Sequence, residues 1–186
     1  MPQSTSPFLT EGTLDVGVRD TYVSNLLLQV GQVKTGVRLE SAHVRVLEGM
    51  DGAVIGEHDV VASGFVEAGG FGLAMVTALE PAEGAALRER LASSSATATM
   101  KVVVEVSVKG APAGGGVPST TPVFRFPITV CKGCLVSFAS GNDPAIPQRN
   151  CAGLLPESER LPCYPGQDEV VPCQLCPDRE VCRPSP

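Results

Sequence analysis

Tryptophan is absent from these 186 residues, and aromatic side chains of any kind make up only 4% of them. A core of useful size must therefore be aliphatic, led by Val, Leu and Ala, which leans towards strands. Positive charge is scarce too. Fourteen Lys and Arg stand against 20 Asp and Glu, for a formal net charge of −6, and no Lys/Arg-rich block occurs. A surface that tracks phosphates has no source, so nucleic acid is not an expected partner. No stretch reaches the roughly 20 apolar residues that cross a bilayer, so no transmembrane segment is expected. The start, Met1-Pro2-Gln3-Ser4-Thr5-Ser6-Pro7, lacks the basic start and apolar centre of a signal peptide. The last absence is the most informative: no cysteine precedes residue 131.

All seven cysteines are then crowded into the stretch from Cys131 to Cys182. Thiols at such density are usually oxidised or metal-bound, which sits badly with a reducing cytosol. The expected address is periplasmic, outer-membrane-anchored or extracellular, with the export signal missing from this chain and a lipid anchor on the precursor as one route. An excess of Arg over Lys and many Ala, Gly, Val and Pro residues hint at a GC-rich bacterial genome.

Composition divides the chain into a flexible tether at 1–9, a β-sandwich at 10–138 and a cysteine-rich loop region at 139–186, packed on or beside the sandwich. Before the divide, period-two alternation dominates. In "KVVVEVSVKG", Val102, Val104, Val106 and Val108 share one face, and in "PVFRFPITV", Phe124, Phe126, Ile128 and Val130 do the same. Pro127 cannot donate to a ladder, which predicts an edge strand or a bulge. "TLDVGV", "YVSNLLLQV", "VRLESAHVRVLE" and "FGLAMVTAL" read as further strands. Only "PAEGAALRERLAS" reads as helix, over about 82–92. "GAPAGGGVPST" reads as a long hairpin-like loop. The predicted fold is mainly β, an antiparallel immunoglobulin-like sandwich with one short helix and a disulfide-stapled, irregular C-terminal tail.

The order of an early "VSNLLLQV", a short helix leading into a "VxVxVxG" strand, and then "FRFPI" resembles the sandwich of the late-embryogenesis-abundant and water-stress (WHy) proteins over residues 10 to 130. The junction "FPITVCKGCLVSF" followed by "PCYPGQDEVVPCQLC" resembles uncharacterised bacterial lipoproteins that join such a sandwich to a cysteine-rich C-terminus. That likeness implies an envelope location and no known catalysis.

Three readings compete for the cysteines. Cys131, Cys134, Cys173 and Cys176 form two CxxC pairs, the right number and kind for a tetrahedral zinc site. The gap between the pairs far exceeds the roughly 15–20 residues usual in zinc ribbons, no knuckle glycine follows either pair, and three cysteines are left over. A redox dithiol needs a stabilised thiolate, for which Lys132 is the only nearby cation. Structural disulfides explain more, because residues 139–186 hold few large apolar side chains and need cross-links in place of a core. The disulfide candidates are Cys131, Cys134, Cys151, Cys163, Cys173, Cys176 and Cys182, with CKGC pinning a sandwich strand to the tail. "YPGQD" between Cys163 and Cys173 predicts a type II turn.

For catalysis, only His43 and His58 titrate near neutral pH, and both are expected in solvent, His58 in the loop "GEHDV". "EHD" is no metal cluster, because neighbours on an extended chain point apart. Ser93-Ser94-Ser95 lacks a nucleophile elbow and "APAGGGVPS" lacks a phosphate-loop lysine. The expected function is therefore a non-enzymatic envelope or extracellular structural or binding module, without cofactor, whose partner is an unidentified protein or envelope component. The alternatives are a four-cysteine zinc protein and, more distantly, a secreted hydrolase.

Overall fold

The structure, a computed structural model, describes residues 11–31, 35–50, 52–92, 99–137, 168–173 and 180–182. The expected tether 1–9, the "YPGQD" turn, and Cys151, Cys163 and Cys176 lie outside these residues.

The strands are β1 (Gly12–Asp15), β2 (Tyr22–Gln29), β3 (Val37–Glu48), β4 (Val54–Val66), β5 (Phe71–Leu79), β6 (Thr99–Pro112), β7 (Ser119–Thr120), β8 (Phe124–Cys131), β9 (Val136–Ser137) and β10 (Val171–Pro172). Helix α1 (Pro81–Ala92) lies between β5 and β6, and Glu180–Cys182 forms a 3-10 turn. The main sheet runs β1-β8-β6-β3-β4, with β7 added to β6, and a two-stranded sheet, β2-β5, packs across the core from it. That order and pairing give an immunoglobulin-like sandwich. It is antiparallel except for the pairing of β1 with β8, and a separate two-stranded sheet, β9 with β10, is also parallel.

Alternation explains the core. Val44, Val46, Val102 and Val104 are all fully buried and meet Leu26, Val76 and Leu79 from the second sheet. Burying each is worth about 1.5 kcal/mol or more. Phe126, Ile128 and Val130 point inward as the pattern predicts, but Phe124 at the start of β8 is half exposed. Pro127 sits in a strand flanked by β6 and β1 rather than at the sheet margin. It is tolerated because β1 pairs only from Ile128 onward, so β8 is locally an edge at the proline.

"GEHDV" is not a loop but part of the 13-residue β4. His58 consequently points inward, while Glu57 and Asp59 point outward to His43. In α1, Leu87 and Leu91 join the core, and Glu83 turns back to accept from the Glu80 main-chain N–H at 2.8 Å, half of a capping box.

The chain leaves the sandwich at Cys131. Val136 belongs instead to a second small apolar cluster with Val18, Val171, Cys173, Val181 and Cys182. The described tail residues therefore share a small apolar cluster with Val18 and Val136, which composition concealed. Asp168 ties it to the sandwich, accepting from the Thr13 N–H and from the Tyr22 hydroxyl at 2.9 Å. Asp168 adopts φ +59°, a left-handed conformation that Asp tolerates better than most side chains.

Candidate functional site

The parallel pairing of β1 and β8 places Asp15 opposite Cys131 where both strands end. Both chains then turn away, one through Gly17 and the other through Lys132-Gly133. Asp15 is 3% exposed, and its carboxylate holds the two turns together. One oxygen accepts from the Gly17 N–H at 2.9 Å and the Gly133 N–H at 2.8 Å; the other accepts from the Leu135 N–H at 2.9 Å. Gly133 has φ +83°, which a side chain would resist. A Cβ on Gly17 would strike Val181, so glycine there lets the 3-10 turn come close.

Within this clasp Cys131 and Cys134 form a disulfide, with Cα atoms 5.8 Å apart. Cys131 is 1% exposed, whereas Cys134 faces solvent. A carboxylate oxygen of Asp15 and the two sulfurs all lie within 4.8 Å of one another. The second described disulfide joins Cys173 to Cys182, both buried in the small tail cluster. CKGC thus closes on itself and does not pin the strand to the tail. Three of the four sulfurs considered for zinc are bonded to another cysteine, and the Gly133 and Leu135 amides are directed to Asp15 rather than to sulfur. Asp15 escaped the sequence reading because nothing in "TLDV" distinguishes it from a surface aspartate.

Beside the clasp lies an open groove of about 480 Å³, lined by Arg19, Asp20, Arg88, Lys132 and Glu180 among others. Its charges are largely matched. Arg88 pairs with Asp20, and Lys132 with Glu180 at 3.4 Å.

The two histidines have other duties. His43 lies between Glu57 and Asp59 at 3.2 and 3.0 Å on the outer face of the main sheet. His58 Nδ1 meets Glu83 at 3.0 Å and its Nε2 meets the Thr77 carbonyl at 3.1 Å. Burial is the largest single influence on this ring and disfavours its charge. The Thr77 carbonyl, the adjacent Glu83 and the nearby Glu80 together outweigh it and hold the pKa above the usual histidine value.

A different kind of surface covers the second sheet. Its outer face carries Val23, Leu27, Phe71, Leu73 and Met75, exposed by 37, 44, 63, 64 and 69%, with Leu27 directly opposite Leu73. The polar residues among them, Asn25, Gln29 and Thr77, are uncharged.

No family model matches this chain, and no curated protein matches it. Solved structures do. One is the X-ray structure of Northeast Structural Genomics Consortium target SoR45, 7% identical, covering 57% of this chain and 86% of its own at a TM-score of 0.34. Another is the ASH / PapD-like domain of human CEP192 (PapD-like domain 7), 16% identical, covering 71% of this chain and 92% of its own at a TM-score of 0.33. These are likenesses of fold alone.

Proposed function

We propose that this chain is a structural or binding module of a bacterial envelope or of the extracellular space, as the lipoprotein resemblance implies, and not an enzyme of hydrolysis. The binding role is carried by the uncharged outer face of β2 and β5. At the exposures given, the five apolar residues leave on the order of 500 Å² of surface in water, the size of the largest apolar patch on a typical monomer, which is often a functional one. The occupant we assign is a second copy. Two such faces would bury about 1,000 Å² of apolar area, and their polar margins bring the total into the range of about 1,200–2,000 Å² for a stable interface. The face carries no charge to repel an identical face, although each chain is net negative.

The compartment is supported by the two described disulfides, which persist in oxidising surroundings. One experiment tests function and compartment together: fractionate cells expressing the protein from its natural gene, trap thiols at lysis, and sediment the purified protein. The expected result is an envelope or secreted protein with both disulfides formed, which dimerises at tens of micromolar. A cytosolic, monomeric protein with every thiol free would overturn the proposal.

A further inference from the structure

We infer that Cys131–Cys134 is an exchangeable disulfide, a two-electron centre that a thiol-bearing partner reduces and reoxidises at Cys134, while Cys173–Cys182 is a fixed structural cross-link. The inference stands apart from the binding role above.

The contrast between the two bridges carries it. Cys173–Cys182 spans nine residues, and both sulfurs are buried among Val18, Val136, Val171 and Val181. Cys131–Cys134 spans three residues of one turn and joins no two elements that the main chain leaves apart. A loop that short removes little freedom from the unfolded chain. The turn is moreover held already, by Asp15 through the Gly133 and Leu135 amides. As a staple the bridge is nearly redundant.

The same geometry suits exchange. An attacking thiolate needs one accessible sulfur and a shielded second one that reacts only within the chain. Cys134 is exposed and Cys131 is 1% exposed. Lys132, on the same turn, lines the open groove, and Cys134 itself is exposed. Because the Asp15 clasp does not depend on the bridge, the reduced turn keeps both sulfurs close, and the disulfide re-forms by an intramolecular step. The adjacent carboxylate disfavours a Cys131 thiolate, so expulsion of Cys131 is the slow part of reduction and re-formation from the paired thiols is the easier direction.

The chemistry closes with a dithiol protein as co-reactant. Its thiolate attacks Cys134 Sγ, the Cys131–Cys134 bond breaks, and Cys131 leaves with the bonding electron pair and takes a proton from solvent. The partner's second thiol loses its proton to solvent and attacks the partner's own sulfur in the mixed disulfide, expelling Cys134 as a thiolate that is then protonated. Two electrons and two protons pass to the Cys131/Cys134 pair, and the partner becomes a disulfide. The reverse runs through the same steps.

The test uses the oxidised full-length chain in glutathione buffers, with alkylation at timed intervals and mass mapping of each cysteine. Cys134 should become alkylatable at least about tenfold sooner than Cys173 and Cys182, with the circular dichroism unchanged. Cys131→Ser should accumulate a mixed disulfide with glutathione at Cys134, whereas Cys134→Ser should form none at the shielded Cys131. Asp15→Ala, if folded, should slow re-formation of the bridge by about tenfold or more while leaving Cys173–Cys182 unaffected. Reduction of Cys131–Cys134 only together with unfolding, or later than Cys173–Cys182, would overturn the inference. So would a folded Cys131→Ser protein that takes up no glutathione.

Discussion

Replacing His58 with alanine tests whether a buried, charged histidine joins β4 to α1. Nδ1 faces a carboxylate oxygen and Nε2 a carbonyl oxygen, both acceptors, so the ring satisfies both only when doubly protonated. Without it, the Glu83 carboxylate keeps just the Glu80 N–H, and the Thr77 carbonyl loses this donor. Removing one member of a buried ion pair costs about 3–5 kcal/mol. The His58 and Glu83 side chains keep 11% and 9% of their surface in solvent, which places the cost near the lower end. A loss of about 3 kcal/mol lowers Tm by about 6–12 °C in a chain of this size. The pKa is raised in the folded state, so the contribution is fully present below the ordinary value of 6.5 and is lost as pH rises through the higher folded value. Urea unfolding of wild type, His58→Ala, Glu83→Gln and the double variant gives the coupling free of His43, which is common to all four. Coupling of about 2–3 kcal/mol near pH 5.5, falling below about 1 near pH 9, is expected. Equal coupling at both pH values would refute the charged pair.

Gly84→Ala should destabilise by about 1–3 kcal/mol in thermal melts although alanine is the better helix former by about 1 kcal/mol, because the new Cβ meets the Asp20 main-chain carbonyl. Leu73→Glu should leave the fold intact and abolish self-association in sedimentation equilibrium; an unchanged dimer would remove the β2–β5 face from the proposal. Glu105, 7% exposed, lies opposite Arg45 on one side and Arg125 on the other. Glu105→Ala should cost about 1–3 kcal/mol in urea unfolding, and each arginine-to-alanine change less, since either guanidinium alone still partners the carboxylate.

Where a strand packs one face on the core, its side chains alternate, and that alternation is visible in the amino-acid sequence. β2, β3, β5, β6 and most of β8 were legible in this way, and α1 by its first-turn proline and its Leu87/Leu91 spacing. β4 was not. Its inward series Gly56, His58, Val60, Ala62 and Val66 is diluted by a glycine, a histidine and an alanine, while Val61 and Phe65 face solvent and blur the alternation. His58 is half-buried between Glu83 of α1 and the Thr77 carbonyl of β5, contacts between residues 25 and 19 positions apart. The density of cysteines implied oxidation, but pairing depends on which Cα atoms the fold brings to within about 6 Å. Asp15 shows the limit most clearly. It reads as an ordinary aspartate in a strand, and it becomes the clasp of the CKGC turn because β1 pairs in parallel with β8, in a register that sets it against Cys131 across more than a hundred residues of intervening chain. Local periodicity records which face of a segment is buried; which distant segment lies against it is settled by tertiary packing, since hydrogen-bond partners are chosen in space.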